Sequence, residues 1–196
     1  MEDAISTSVF RGRPFGGVSI AWSPKLNNIV SPLTNFRQKR VVGVEMDSEN
    51  NKTLIINVYM TFFDSSRREE CITETLDAIS MVEMMIESHP LHFIAIGGDF
   101  NCELKGVSPF DSYWNDLRVK FDLISCDSFI SITDSYTYSH ESLGQRKWND
   151  HFLISSRLST LTNNHLILNE GDNPSDHLPL LFSLSISHLW ILSNEL

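Results

Sequence analysis

His92-Phe93-Ile94-Ala95-Ile96-Gly97-Gly98-Asp99-Phe100-Asn101 is the stretch on which the reading of this chain turns. Its first half is a short, continuous apolar run, the pattern of a strand buried on both faces. The run ends at Gly97-Gly98-Asp99. Side chains alternate along an extended chain, so Asp99 and Asn101 fall on one side and Phe100 on the other. A carboxylate and an amide set together at a strand end can orient and deprotonate a water molecule. Gly, Asp and Asn are also the ordinary residues of a polar turn, and for the tetrapeptide alone that is the commoner use.

The segments on either side carry the periodicities of an α/β protein. Upstream, Ser66 to Ser88 predicts a helix, with Ile72, Leu76, Ile79, Val82 and Ile86 on one face, Glu69, Glu70, Glu74 and Glu83 largely off it, and Pro90 closing it. Before it, Val41 to Met46 and Thr53 to Met60 read as strands joined into a hairpin across the polar Asp47 to Lys52. Val18 to Trp22, after Gly16-Gly17, reads as a further buried strand. Downstream, a shorter helix is expected around Ser112 to Lys120, and strands over Phe152 to Ser155 and Leu180 to Ile186, where Phe182, Leu184 and Ile186 alternate with serines. Strands separated by amphipathic helices predict a layered α/β domain with a central two-sheet core.

Composition agrees with one folded domain over residues 1–196: 41% of residues are hydrophobic and 20% charged. The formal net charge of -10 argues against tight nonspecific binding of nucleic acid through a basic face. It leaves room for a nuclease, because an enzyme that holds a divalent cation needs clustered carboxylates and the ion reverses the local field. Cys71, Cys102 and Cys126 are odd in number and form no C-x-x-C pair, so they are expected to be unpaired thiols in a reducing compartment. Neither a signal peptide nor a membrane span is visible, and a nuclear or cytoplasmic location is expected.

Three more polar motifs stand at expected strand ends. Ser175-Asp176-His177-Leu178-Pro179 offers a metal ligand beside a group able to contact phosphate or transfer a proton. Trp148-Asn149-Asp150-His151 leads into an apolar run, and Asp150 can orient His177 from behind, as a carboxylate orients an imidazole. His151 reads as a structural or surface histidine. Asn57-Val58-Tyr59 ends a strand with a phenol able to donate to a phosphate oxygen. Each has a bland counterpart: a surface turn, a solvated aspartate, a packing tyrosine.

Their joint order is more specific than any one of them. Asn-Val-Tyr, Gly-Asp-Phe-Asn, Trp-x-Asp-His with an apolar run, and Ser-Asp-His-x-Pro resemble, in order, the markers of the endonuclease/exonuclease/phosphatase superfamily. Gly12-Arg13-Pro14-Phe15-Gly16-Gly17-Val18 looks like the segment ahead of an early strand in LINE-type (non-LTR) retrotransposon endonucleases. The resemblance covers roughly Phe10 to Leu184. It implies a four-layer α/β sandwich of two packed β-sheets flanked by helices. It also implies hydrolysis of a DNA phosphodiester by in-line attack of water, with Mg²⁺ as cofactor and Mn²⁺ as a substitute. By position, Asp99 activates the water and Asn101 assists. Asp150 pairs with His177, which contacts the scissile phosphate. Asp176 lies near the metal, and Tyr59 contacts a phosphate oxygen. DNA is the implied partner, with a reverse transcriptase domain in the full element, and no membrane is involved.

The resemblance further implies a first strand bearing an Asn and then a Gln-Glu pair whose Glu is a principal Mg²⁺ ligand. Only about fifteen residues precede Gly16-Gly17 here, and Glu2 has no strand-end context. The chain is therefore expected to lack the first strand, and activity to suffer with the hold on the metal. The Pro that follows the Tyr motif in the family is absent, with Met60 and Thr61 in its place, and Asn149 stands where an apolar residue is usual. Three functions remain open: a DNA endonuclease, an inactive retrotransposon remnant or binding module, and a phosphatase of the same superfamily acting on phosphoinositide or sphingolipid. The retrotransposon-like motifs weigh against the last.

Overall fold

The computed structural model of the chain describes residues 17–36, 38–48, 51–105, 108–130, 135–169 and 173–184. In chain order the elements are β1 (Val30–Pro32), β2 (Val41–Ser48), β3 (Asn51–Tyr59), α1 (Arg68–Glu87), β4 (Phe93–Asp99), α2 (Pro109–Lys120) and β5 (Leu123–Ser125). There follow β6 (Tyr138–His140), β7 (Gln145–Lys147), β8 (Asp150–Ser155), the short α3 (Ser156–Ser159), β9 (Thr162–Ile167) and β10 (Leu180–Leu184). Six strands form one sheet in the order β1-β2-β3-β4-β8-β5, while β9 with β10 and β6 with β7 form two small antiparallel sheets.

Alternation along the central strands sorts side chains into two cores. Leu54, Ile56 and Val58 of β3, Ile94 and Ile96 of β4, and Leu153 of β8 pack with α1 and α2 on one face. Phe93 and Ala95 of β4 and Phe152 and Ile154 of β8 meet Phe182 and Leu184 of β10 on the other. A helical layer, the large sheet and a small sheet thus stack as an α/β sandwich. The hairpin is as expected, β2 running antiparallel to β3 from Val41↔Val58 to Ser48↔Asn51. The parallel pairing of β3 with β4 requires a crossover, which α1 supplies. A capping box starts α2: Ser108 Oγ accepts from the Asp111 amide, Asp111 accepts from the Ser108 amide, and Pro109 takes the first helical position.

Two expectations need correction. Residues 18–22 form no strand and have no sheet partner. The Ser19 carbonyl instead accepts from the Asn57 side chain at 2.9 Å, and Ile20 and Trp22 pack at the edge against Val30, Val44 and Met46. Their apolar character comes from lying on a sheet, not from pairing within one. The buried face of α1 is also rotated from the expected one. Cys71, Thr75, Ala78, Ile79, Val82, Met85 and Ile86 face the sheet, while Leu76 is 40% exposed. Small Cys71, Thr75 and Ala78 allow a close approach, and Thr75 satisfies its hydroxyl on the Cys71 carbonyl at 2.8 Å. Residues 185–186 of the expected last strand lie outside the described residues. So do residues 12–16 of the retrotransposon-like segment, and Glu2.

The end of β4 depends on glycine. Gly98 has φ +137°, and a Cβ there would stand 2.0 Å from the Val58 carbonyl oxygen. Gly98→Ala is therefore expected to lower stability by about 3 kcal/mol, from backbone strain and a clash with a rigid neighbour. Urea unfolding measures it; a loss within error of zero would show that the β3–β4 junction yields.

Candidate functional site

The site is built on three adjacent strand ends. Parallel register sets Tyr59 of β3 beside Asp99 of β4, and antiparallel register sets Asp150 of β8 on the other side of Asp99. Registered neighbours share a face, so all three side chains stand on the face opposite the helices. Phe100 turns the other way and is fully buried against Trp114, ring centroids 4.4 Å apart.

Asn101 follows at φ +49°, a left-handed conformation that Asn tolerates better than most residues. Its amide and its side-chain nitrogen donate to the two Asp99 oxygens, at 2.9 and 3.1 Å, and the side chain also donates to the Met60 carbonyl at 2.9 Å. The loop before β10 brings His177 over the same face. There Nδ1 donates to Asp150 Oδ2 at 2.9 Å and Nε2 lies 4.0 Å from Asp99 Oδ2. One ligand atom from each of Asp99, Asp150 and His177 falls within 4.8 Å of the others, so this trio could hold a cation.

Charge accounts for the behaviour of the trio. Burial, then the adjacent Asp150 carboxylate, pushes Asp99 up to about 6. His177 moves above the ordinary imidazole value, chiefly through its hydrogen bond to Asp150, although burial opposes the shift. Near neutral pH the arrangement offers a carboxylate of raised basicity beside an imidazole with an enhanced hold on its proton.

The structure brings Tyr59, Asp99, Asn101, Asp150 and His177 together. Asp176 it does not: its side chain is exposed and outside the trio, and its carbonyl accepts from the Ser139 amide at 2.9 Å. Tyr59 is steadied by Arg40, whose Nη1 donates to the Tyr59 carbonyl at 3.3 Å while Nη2 pairs with Glu74 at 2.7 Å. Of the two expectations for His151, structural or surface, burial selects the structural one: it is fully buried. Its two ring nitrogens lie 2.7 Å from Asp127 Oδ2 and 2.7 Å from the Cys102 carbonyl, tying the loop after Asn101 to β8. Cys71, Cys102 and Cys126 are free and buried, as expected of unpaired thiols.

One residue of the site had no sequence signal. Thr137 is fully buried, and its hydroxyl oxygen accepts from the amides of Asn149 and Asp150 at 2.9 and 3.0 Å. Its carbonyl accepts from the Leu178 amide at 2.7 Å, next to His177. It thereby links the segments carrying Asp150 and His177, and it gives the buried, polar Asn149 a partner. A threonine in a Tyr-Thr-Tyr stretch marks none of this. A cleft of about 830 Å³ runs between the large sheet and β10, walled by Ile55, Phe152, Leu180 and Phe182, with Asp150 and His177 at its polar end.

The fold is the α/β sandwich of the endonuclease/exonuclease/phosphatase type, as three solved structures show. The endonuclease domain of TRAS1, a telomere-specific non-LTR retrotransposon, superposes with a TM-score of 0.60 at 14% identity, over 79% of this chain and 66% of that one. The 3′ phosphatase NExo from Neisseria, bound to product DNA hairpin, gives 0.59 at 17% identity, over 80% of this chain and 70% of that one. The AP endonuclease LMAP from Leishmania major gives 0.61 at 13% identity, over 74% and 54%. The chain thus spans 54% to 70% of the lengths of these structures. No protein-family model and no curated protein matches it. Among the described residues no helix is long and apolar enough to cross a membrane.

Two consequences can be measured. Thr137→Val keeps the shape but leaves two amides unpaired, and is expected to cost about 2 kcal/mol or more in urea unfolding. An unchanged midpoint would mean that other groups satisfy them. Asp99 sets a pH dependence. Its folded value of about 6 lies above the ordinary 3.8, so the folded state binds the proton more tightly. Stability is then lost as pH rises from about 4 to about 6, on the order of 3 kcal/mol for a two-unit shift. Asp99→Asn should flatten that slope, gaining on the parent at pH 7 relative to pH 4. Parallel pH profiles would show that Asp99 titrates normally.

Proposed function

We propose that the chain is a phosphodiesterase acting on DNA, an endonuclease of retrotransposon type, with Mg²⁺ as cofactor. The observation that carries this is the meeting of Asp99, of raised basicity, with the Asp150–His177 pair at one open sheet edge. The shared fold with two endonucleases supports it, and NExo, bound to product DNA hairpin, supports DNA as the substrate class.

In this reading Asp99 takes a proton from the attacking water and Asn101 orients that water, both being held by their mutual hydrogen bonds. His177, its hold on the proton strengthened by Asp150 and its ring aimed by it, donates a hydrogen bond to a non-bridging phosphate oxygen; the water oxygen bonds to phosphorus as the bridging P–O bond breaks, and the leaving oxygen takes its proton from solvent. Tyr59, on the neighbouring strand end, donates to another. The donor set fits a divalent cation: two carboxylates with an imidazole close by, one carboxylate raised by the other's charge, a repulsion that a cation relieves. Asp150 would hold Mg²⁺, with Asp176 adding negative charge at the mouth and Asp99 kept for the water, and the bound ion would supply charge neutralisation at the phosphoryl group. One carboxylate is at the low end for an ion that keeps its waters, so a high Mg²⁺ demand is expected. A reverse transcriptase domain is the companion this reading implies.

The test is nicking of supercoiled plasmid across Mg²⁺ concentrations, with Asp99→Ala and His177→Ala beside the parent. Each variant is expected to lose about 10²-fold or more in rate with an unchanged circular dichroism spectrum. Undiminished nicking by a variant removes that residue from the mechanism. A parent that binds DNA but never nicks it would favour a binding module. Release of phosphate from a 3′-phosphorylated oligonucleotide without nicking would favour a phosphatase.

A further inference from the structure

Beyond Tyr59 the chain runs along the rim of the site. Met60 and Thr61 are buried, Met60 exchanging hydrogen bonds with Asp99 and Asn101 through its amide and carbonyl. Phe63 is packed edge-on against Phe110 at 5.5 Å. Between them Phe62 points outward, 62% exposed. A single exposed phenylalanine is ordinary. Its surroundings are not. Lys147 Nζ lies 5.9 Å from the ring centroid of Phe62. In the β6–β7 hairpin Lys147 pairs in register with Tyr138, so the two side chains share a face, and the Tyr138 ring packs against His177 at 5.0 Å. Phe62, Lys147, Tyr138 and His177 therefore form one continuous strip leading to the trio. The chain as a whole carries a formal charge of -10, which makes a cation on this strip conspicuous.

An exposed aromatic face beside an ammonium suits a nucleotide that is not base-paired. The ring takes the π-face of the base and the ammonium takes the phosphate, without reading sequence. A base inside a duplex has both faces covered by its neighbours and cannot use the ring. Resting on the reading of the site as a DNA phosphodiesterase, we propose that Phe62 and Lys147 form a subsite for an unpaired base next to the scissile phosphate. The preferred substrate is then DNA that is single-stranded or locally unpaired at that nucleotide. Phe62 acts here as a specificity residue and takes no part in proton transfer.

The experiment measures affinity by fluorescence anisotropy, with Ca²⁺ replacing Mg²⁺ to suppress hydrolysis. Three labelled DNAs are compared: a single strand, a duplex with one unpaired base, and a fully paired duplex. The proteins are the parent, Phe62→Ala, Phe62→Leu and Phe62→Trp; the exposed position makes all of them compatible with folding. Loss of one stacked base should weaken Phe62→Ala about tenfold on the two DNAs with unpaired bases and leave the paired duplex unchanged. Phe62→Leu, apolar but without a π-face, should behave like Ala, and Phe62→Trp should match or exceed the parent. Equal losses on all three DNAs, no loss on any, a full rescue by Leu, or a parent that binds none of them would overturn the subsite. Phe62-dependent binding without any cleavage in Mg²⁺ would leave the subsite standing and defeat the hydrolytic reading.

Discussion

Asp99 lies between two strands that run in opposite senses relative to its own, and the site depends on that placement. Parallel pairing with β3 and antiparallel pairing with β8 bring Tyr59 and Asp150 to its two sides. The second neighbour sets two carboxylates on adjacent strands, both largely shielded from solvent. Such a pair is unstable alone, because burial and mutual repulsion both disfavour ionisation. Asn101 offsets this with two donated hydrogen bonds to Asp99, and His177 does so by pairing with Asp150. What remains uncompensated shows in the raised basicity of Asp99.

The rest of the structure holds that arrangement in place. Gly98 lets β4 close on Val58 where any side chain would collide. Thr137 fixes the amide of Asp150 with its hydroxyl and the loop beside His177 with its carbonyl. His151, reversed in direction from Asp150 by strand alternation, spends both ring nitrogens on the loop that follows Asn101. The strand ends that carry the trio are thus backed by buried polar contacts in which the Thr137 hydroxyl and both ring nitrogens of His151 are partnered, a kind of network that confers rigidity.

An acidic chain read as acting on DNA must manage its own field. A divalent cation between carboxylates reverses the sign locally, and two cations beside the site, Lys147 over Phe62 and Arg40 over Tyr59, are each held by an aromatic ring. Attraction of this kind acts over about a Debye length and positions a substrate without gripping it along its whole length. Under the proposed reading, this suits engagement of one phosphate and its neighbours better than coating of DNA.

The sequence by itself determined the elements with a strong local pattern. The apolar run ending at Asp99, the β2–β3 hairpin, both main helices and the last strand were legible because periodicity and turn residues are local signals. The same holds for the residue types at the site: Asp99 and Asn101 are two apart with Phe100 going into the core, although a left-handed turn at Asn101, and not strand alternation, brings its side chain onto Asp99. Short strands such as β1, β5, β6 and β7 were not legible. They carry few residues, and their extended form comes from partners outside their own segment. The apolar residues at 18–22 misled for a related reason, since burial against a sheet and pairing within one leave the same composition. Only the tertiary structure decided that Asp150 and His177, 27 residues apart, share a hydrogen bond, that Asp176 stands outside the trio, and that Thr137 joins them. Each of these depends on strand register and loop closure between segments remote in sequence. That is set by how the whole core packs, and no window of neighbouring residues contains it.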